Sequence, residues 1–187
     1  MPSASLLLWV SDRATGLNEV DIQCAATHAL TDPNIPLVDE NIRGFILLLS
    51  AHFQGYCRDL YSECASIIAF RIRATLRVLV QRQFDANRLL DHGNPSLDVL
   101  KKDFNRFGFT LDMAAHDPAN HARLAHLKQL NRWRNIAAHH GIVPPEGLPP
   151  LTTVQDWKKS CNGLATSLDD ILYNQLRRTL RRSPWGR

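Results

Sequence analysis

The chain has 187 residues, of which 44% are hydrophobic and 21% are charged. These proportions are typical of a globular protein and exclude a wholly disordered one. The length predicts a single domain spanning residues 1–187. The longest aliphatic or aromatic runs, residues 6–10 and 45–49, are too short for a membrane helix, and no basic residue precedes the run at 6–10 as in a secretory signal. We therefore expect a soluble, cytoplasmic protein without a membrane partner.

The positive charge is concentrated at the C-terminal end. The chain has 22 basic and 18 acidic residues, and five of the arginines lie in residues 177–187, which contain no acid. The rest of the chain has 17 basic residues against 18 acidic ones, so any affinity for phosphate must be local. We expect residues 181–187 to form a loose basic tail that is solvated or that contacts RNA or a partner.

The predicted elements are helical along nearly the whole chain, because apolar residues recur at spacings of three and four and no stretch alternates as a strand would. Apolar periodicity, capping residues such as Ser96 and Asp117, and breaks at Pro and Gly set the boundaries. The predicted helices cover residues 17–30, 39–67, 71–90, 97–106, 118–139 and 152–176, the last beginning at Thr152 or Thr153.

A cluster of arginines occupies the predicted helix over residues 71–90. One acid, Asp85, accompanies five basic side chains. This pattern fits a solvated helix face, and it also fits a groove for a polyanion. The arginines are Arg71, Arg73, Arg77, Arg82 and Arg88.

The helix over 118–139 combines an apolar face with a polar strip. At 100° per residue, Arg134 falls between Leu127 and Leu130 in the apolar arc, which extends to Ala138. A charge there must be paired or must face another molecule, because an unpaired buried guanidinium is costly. Asn131, Asn135 and His139 follow along one edge, and Asn135 and His139 are close enough to interact. The alternative is a structural arginine with a histidine that satisfies the carbonyls at the helix end.

Residues 134–141, RNIAAHHG, resemble the R-N-x-x-x-H motif of HEPN-domain proteins. Residues 49–60, LSAHFQGYCRDL, resemble the second-helix segment of the RiboL-PSP-type and MAE-type members of that family. The resemblance covers roughly residues 40–180. It implies an all-α, HEPN-like bundle of about five to six helices with long antiparallel central helices.

The resemblance also implies a function. Many HEPN proteins are metal-independent endoribonucleases of toxin–antitoxin and phage-defence systems, with a composite site at a homodimer cleft. It assigns catalytic roles to Arg134, His139 and Asn135, with RNA as substrate and an antitoxin or regulatory protein as a further partner. His140 also fits the motif spacing, and we prefer His139 because it lies on the Asn135 side of the helix. The residues expected to contact substrate are Asn131, His140 and Arg58.

The same motif also fits a non-catalytic HEPN-like module that binds a partner protein, a nucleotide or RNA. Neither interpretation calls for a cofactor.

Five of the eight histidines lie in residues 116–140, but none has the i, i+4 pairing of a helical zinc site, so we predict no metal site. The four cysteines include no CxxC pair, which predicts reduced, buried thiols.

Overall fold

The computed structural model describes residues 2–30, 35–138 and 147–185, and over these residues the protein is helical with no strand. This confirms the prediction of an all-α fold, and six of the helices described have nine residues or more. A π-helical turn, Trp9–Arg13, joins the first two helices, and a 3-10 turn spans Leu89–Asp91. The α-helices are α1 Ala4–Leu8, α2 Ala14–His28, α3 Ile35–Ala69, α4 Ala74–Asp85, α5 Leu97–Asn105, α6 Met113–His116, α7 Asn120–Ala138 and α8 Leu151–Leu180.

Helices α7 and α8 pack against each other in opposite directions. His126 Nδ1 of α7 lies 2.8 Å from Ser160 Oγ of α8. One turn further along α7, Gln129 Oε1 accepts a hydrogen bond of 3.2 Å from Nε1 of Trp157, which lies earlier in α8. Later residues of α7 therefore meet earlier residues of α8, and the pair is antiparallel.

Helix α3 runs parallel to α8 and antiparallel to the N-terminal helices. Tyr56 of α3 donates a hydrogen bond of 2.7 Å to the carbonyl of Ala165 in α8. Earlier in both helices, Lys158 Nζ of α8 lies 6.0 Å from the ring centroid of Phe45 in α3, so the two helices run in the same direction. The N-terminus of α1 meets the far part of α3, where the carboxylate of Glu63 accepts from the backbone. The N-terminal helices, α3, α7 and α8 thus form an up-down-up-down bundle, and α7 supplies the predicted antiparallel central packing.

The N-terminal helices are held on α3 by a close crossing. Arg13 donates to the carbonyl of His52 over 2.9 Å and pairs with Asp59. A Cβ at position 55 would lie 2.6 Å from the Arg13 Nη1 atom, so any side chain larger than that of glycine would displace the Arg13 guanidinium from these partners. Trp9 continues the contact, with its ring 5.8 Å from that of Phe53.

The core contains all four cysteines as free, buried thiols, as the sequence predicted. Burial raises the pKa of the Cys57 and Cys64 thiols well above the usual value, so both stay protonated at neutral pH. Among the helices of the described residues, none combines the length and the apolar character needed to cross a bilayer.

Several predicted boundaries were wrong. The first helical stretch begins at Ala4 rather than at residue 17, and the short helix α6 was not predicted. The predicted helix over 71–90 is divided by a turn before Ala74 and by Asn87, whose φ of 56° interrupts helical geometry. The last helix begins at Leu151, directly after Pro150. By contrast, Ser96 caps α5 as predicted, accepting a hydrogen bond of 3.3 Å from the Val99 amide.

The segment after α8 is also different from the prediction of a loose tail. Trp185 is only 4% exposed and lies in the hydrophobic core. Its ring stands 6.4 Å from that of Tyr173. Arg181, with a φ of 53°, ends α8 in the left-handed conformation and turns the chain back toward this contact.

Candidate functional site

The buried face of α7 confirms most of the predicted apolar arc. Its buried apolar side chains are Leu127, Leu130, Trp133 and Ala137, whereas Ala138 is exposed, so the arc does not extend that far. Arg134 is partly buried at the edge of this face and forms no ion pair with any carboxylate of the described residues.

A polar cleft of about 400 Å³ lies beside Arg134. One wall is α3, one is the end of α7, and the third is the loop over residues 89–95. The two segments on which the family resemblance rests, residues 49–60 and 134–141, therefore both contribute to this cleft. The residues that line it are Gln54, Asp91, His92, Gly93, Asn94, Arg134 and Asn135.

The loop over residues 89–95 is anchored on two sides. The carboxylate of Asp103 accepts hydrogen bonds from the backbone amides of Leu89 and Leu90 over 3.0 and 2.9 Å. From α3, the Gln54 amide donates to the carbonyls of Leu90 and Gly93 over 3.0 and 2.9 Å. These four bonds satisfy backbone groups that a loop packed between helices would otherwise leave unpaired.

Two asparagines of α7 complete the anchoring. Asn135 Oδ1 accepts from Asn94 Nδ2 of the loop over 3.0 Å and from Arg134 Nη1 over 3.3 Å. Asn135 thus couples Arg134 to the loop. Asn131 donates to the carbonyl of Pro95 over 2.7 Å and lines a neighbouring groove rather than the cleft.

Arg58, predicted to contact substrate, is paired with Asp91. Its Nε atom lies 3.0 Å from Asp91 Oδ1. Arg88 binds the same carboxylate through two hydrogen bonds of 3.0 and 2.7 Å. The hydrogen bond from Arg88 and the positive charges of Arg88 and Arg58 hold the pKa of Asp91 below its usual value. Asp91 is therefore neutralised by two guanidinium groups.

Sequence reasoning identified the α7 residues of the cleft but not the loop residues His92 and Asn94. Residues 91–95, DHGNP, indicated only a helix stop. The presence of His, Asn and Asp around Gly in that stop is the one available signal of a functional loop. Gln54 lies within the segment that carries the resemblance, but its bonds to the loop depend on contacts between residues 36 and 39 positions apart.

His139 and His140, the two histidines of the motif, lie outside the described residues, as does Gly141. The described part of α7 ends at Ala138, the residue immediately before His139. Within residues 2–30, 35–138 and 147–185, no group of three or more His, Cys, Asp or Glu side chains is arranged to hold a metal ion.

Comparison of the chain with models of known protein families, with curated proteins and with solved structures gives no match.

Proposed function

We propose that this chain is a metal-independent endoribonuclease of the HEPN type, with Arg134, Asn135 and His139 as its catalytic residues. The observation that carries the proposal is the state of Arg134. Its guanidinium lines a polar cleft, forms no ion pair with a carboxylate of the described residues, and donates a hydrogen bond of 3.3 Å to Asn135. A guanidinium held in this way suits the oxygens of a phosphodiester, which it can bind through two parallel hydrogen bonds.

The chemistry follows from these residue types. The 2′-oxygen of a ribose attacks the adjacent phosphorus, the bond to the 5′-oxygen breaks, and a 2′,3′-cyclic phosphate forms. The proton of the 2′-hydroxyl passes to a base, and another proton reaches the leaving 5′-oxygen. His139, as an imidazole, can carry out such transfers near neutral pH, while Arg134 stabilises the charge that develops on the phosphate oxygens.

One Arg134–His139 pair supplies only one histidine for two proton transfers. We therefore propose that the protein acts as a homodimer in which the ends of two α7 helices meet and share one cleft, as the family resemblance implies. Arg134 is at the edge of the buried α7 face and partly exposed, so a second copy can approach it. In this proposal the enzyme is a cytoplasmic toxin or phage-defence effector, controlled by an antitoxin or regulatory protein.

The second candidate is a non-catalytic module that binds a phosphate-bearing ligand. It is favoured by the hydrogen bonds between Asn94, Asn135 and Arg134, because such a fixed set of donors can hold an anion without any proton transfer.

The two candidates are distinguished by incubating the purified protein with a single-stranded RNA of 20 nucleotides in EDTA. We expect cleavage by the wild-type protein and none by the R134A variant, with no cleavage of the DNA of the same sequence. The control is R132A, which removes an exposed arginine of the same helix and should leave cleavage intact. RNA that is bound and never cut would support the binding module.

A further inference from the structure

Four exposed arginines lie together where α8 ends. They are Arg177, Arg178, Arg181 and Arg182, and none forms an ion pair with a carboxylate of the described residues. We call them the α8 arginine patch. Residues 171–187 contain no acid that could neutralise it. The first three arginines and Asn174 line an open groove of about 380 Å³.

The patch is fixed by the core rather than carried on a loose tail. Beyond the patch, Trp185 is buried and Ser183 Oγ donates to its carbonyl over 2.8 Å. On the other side of the patch, Leu176 is fully buried. The chain is therefore packed at both ends of a short segment that holds four like charges.

Unpaired like charges this close together repel one another. The negative end of the α8 dipole offsets part of this repulsion, by about 0.3–1 kcal/mol for each charge near the last turn. An extended anion that contacts several of these groups would relieve the remaining repulsion.

The arginines near α4 have a different setting. Arg88 is buried against Asp91, and Arg77 stacks at 4.3 Å on the ring of Phe70. The exposed ones alternate with apolar side chains such as Val78 and Leu79, which are 63% and 65% exposed. Among the described residues of α8 and of the segment after it, no large apolar side chain is exposed. The patch is therefore suited to a phosphate backbone and not to a lipid bilayer, which would need apolar groups to insert.

We propose that the α8 arginine patch binds the phosphate backbone of the RNA substrate, at a second site remote from the cleft. This inference rests on the proposed function for its substrate class. Asn120 and Ser167, whose side chains are 3.2 Å apart, lie at the same level of the antiparallel pair α7 and α8. From that level, Arg134 lies about 21 Å in one direction and Arg177 about 15 Å in the other, at 1.5 Å per residue.

The two sites are thus separated by about 36 Å along the bundle. At about 3.4 Å per nucleotide, a stacked strand needs about eleven nucleotides to reach from one to the other. The substrate class is therefore single-stranded RNA of about eleven nucleotides or more.

The test measures binding of a fluorescein-labelled, 20-nucleotide 2′-O-methyl RNA, which lacks the attacking hydroxyl and cannot be cut. Fluorescence anisotropy is recorded at several salt concentrations for the wild-type protein and two triple variants. The patch variant, R177Q/R178Q/R182Q, removes three charges from the patch. The control variant, R71Q/R73Q/R82Q, removes three exposed charges near α4.

We expect the patch variant to bind about tenfold more weakly or worse at 200 mM salt, with the slope of log K against log salt reduced by about 2, since each lost contact to a single strand removes about 0.7. The control should change affinity less than threefold. Equal losses in both variants, no loss in the patch variant, or binding to phosphatidylglycerol vesicles in place of the RNA would overturn the inference. If the wild-type protein binds through the patch but never cuts unmodified RNA, the proposed function fails and the patch stands. If the wild-type protein cuts RNA but the patch variant binds RNA as tightly as the wild type, the inference about the patch fails and the proposed function stands.

Discussion

Replacing Asp103 by asparagine should destabilise the protein at the loop that forms one wall of the cleft. Asp103 is 1% exposed, and its two oxygens accept from the amides of Leu89 and Leu90 over 3.0 and 2.9 Å. Asparagine retains one acceptor and turns a donor toward the other amide, so one bond is lost and the other loses its charge. With hydrogen bonds to charged groups contributing about 1.5–3 kcal/mol each, we expect a loss of about 2–4 kcal/mol.

Urea unfolding followed by circular dichroism measures this change. With a slope of about 3 kcal/mol per M, the midpoint of D103N should fall by about 1 M. The matched control is D98N, because Asp98 is an exposed acid in the first turn of the same helix α5, and we expect it to cost less than about 0.5–1 kcal/mol. A loss below 1 kcal/mol in D103N, or equal losses in both variants, would refute the account of how the loop is held.

Three further predictions concern the cleft and the assembly. H139A should abolish RNA cleavage while leaving the thermal unfolding midpoint unchanged, and H140A should retain most of the activity; the opposite result in a cleavage assay would move the catalytic role to His140. Light scattering at high micromolar concentration should give twice the chain mass of 21.2 kDa, and a strict monomer would contradict the shared cleft. The pKa of Asp91 is lower in the folded protein than the unfolded value of about 3.9, so its stabilising contribution is present above that value and is lost as pH falls below it. D91N should therefore lose less unfolding free energy between pH 5 and pH 3 than the wild type, and identical losses would show that Asp91 is not linked to folding.

The helices most faithfully predicted from the sequence are those with a regular apolar period. Residues such as Phe45, Leu49 and Leu60 of α3 recur at helical spacing and are all fully buried. Of the N-terminal helices, α1 and the π-helical turn Trp9–Arg13 were missed, and α2 was predicted to begin at residue 17 rather than at Ala14. Helix α1 has only five residues, which is too short for a helical period to be recognised in the sequence.

The cleft was predictable only in part. Arg134 and Asn135 lie on one helix, so their spacing alone placed them together. The loop wall depends on bonds between distant parts of the chain, such as Asn94 with Asn135, 41 positions apart, and no local pattern encodes such a contact. The segment after α8 was also mispredicted. Its arginines suggested a loose, solvated tail, but Trp185 is buried in the core and holds the segment against it.

The most direct test of the central claim is the chemistry of the cut RNA ends. Mass spectrometry of the fragments from a 20-nucleotide RNA treated in EDTA should show a 2′,3′-cyclic phosphate on each upstream product, because the nucleophile is the substrate's own 2′-hydroxyl. The same RNA with 2′-O-methyl groups throughout should remain intact. Fragments that end in a 3′-hydroxyl, or cleavage of the 2′-O-methyl strand, would contradict the mechanism assigned to Arg134 and His139.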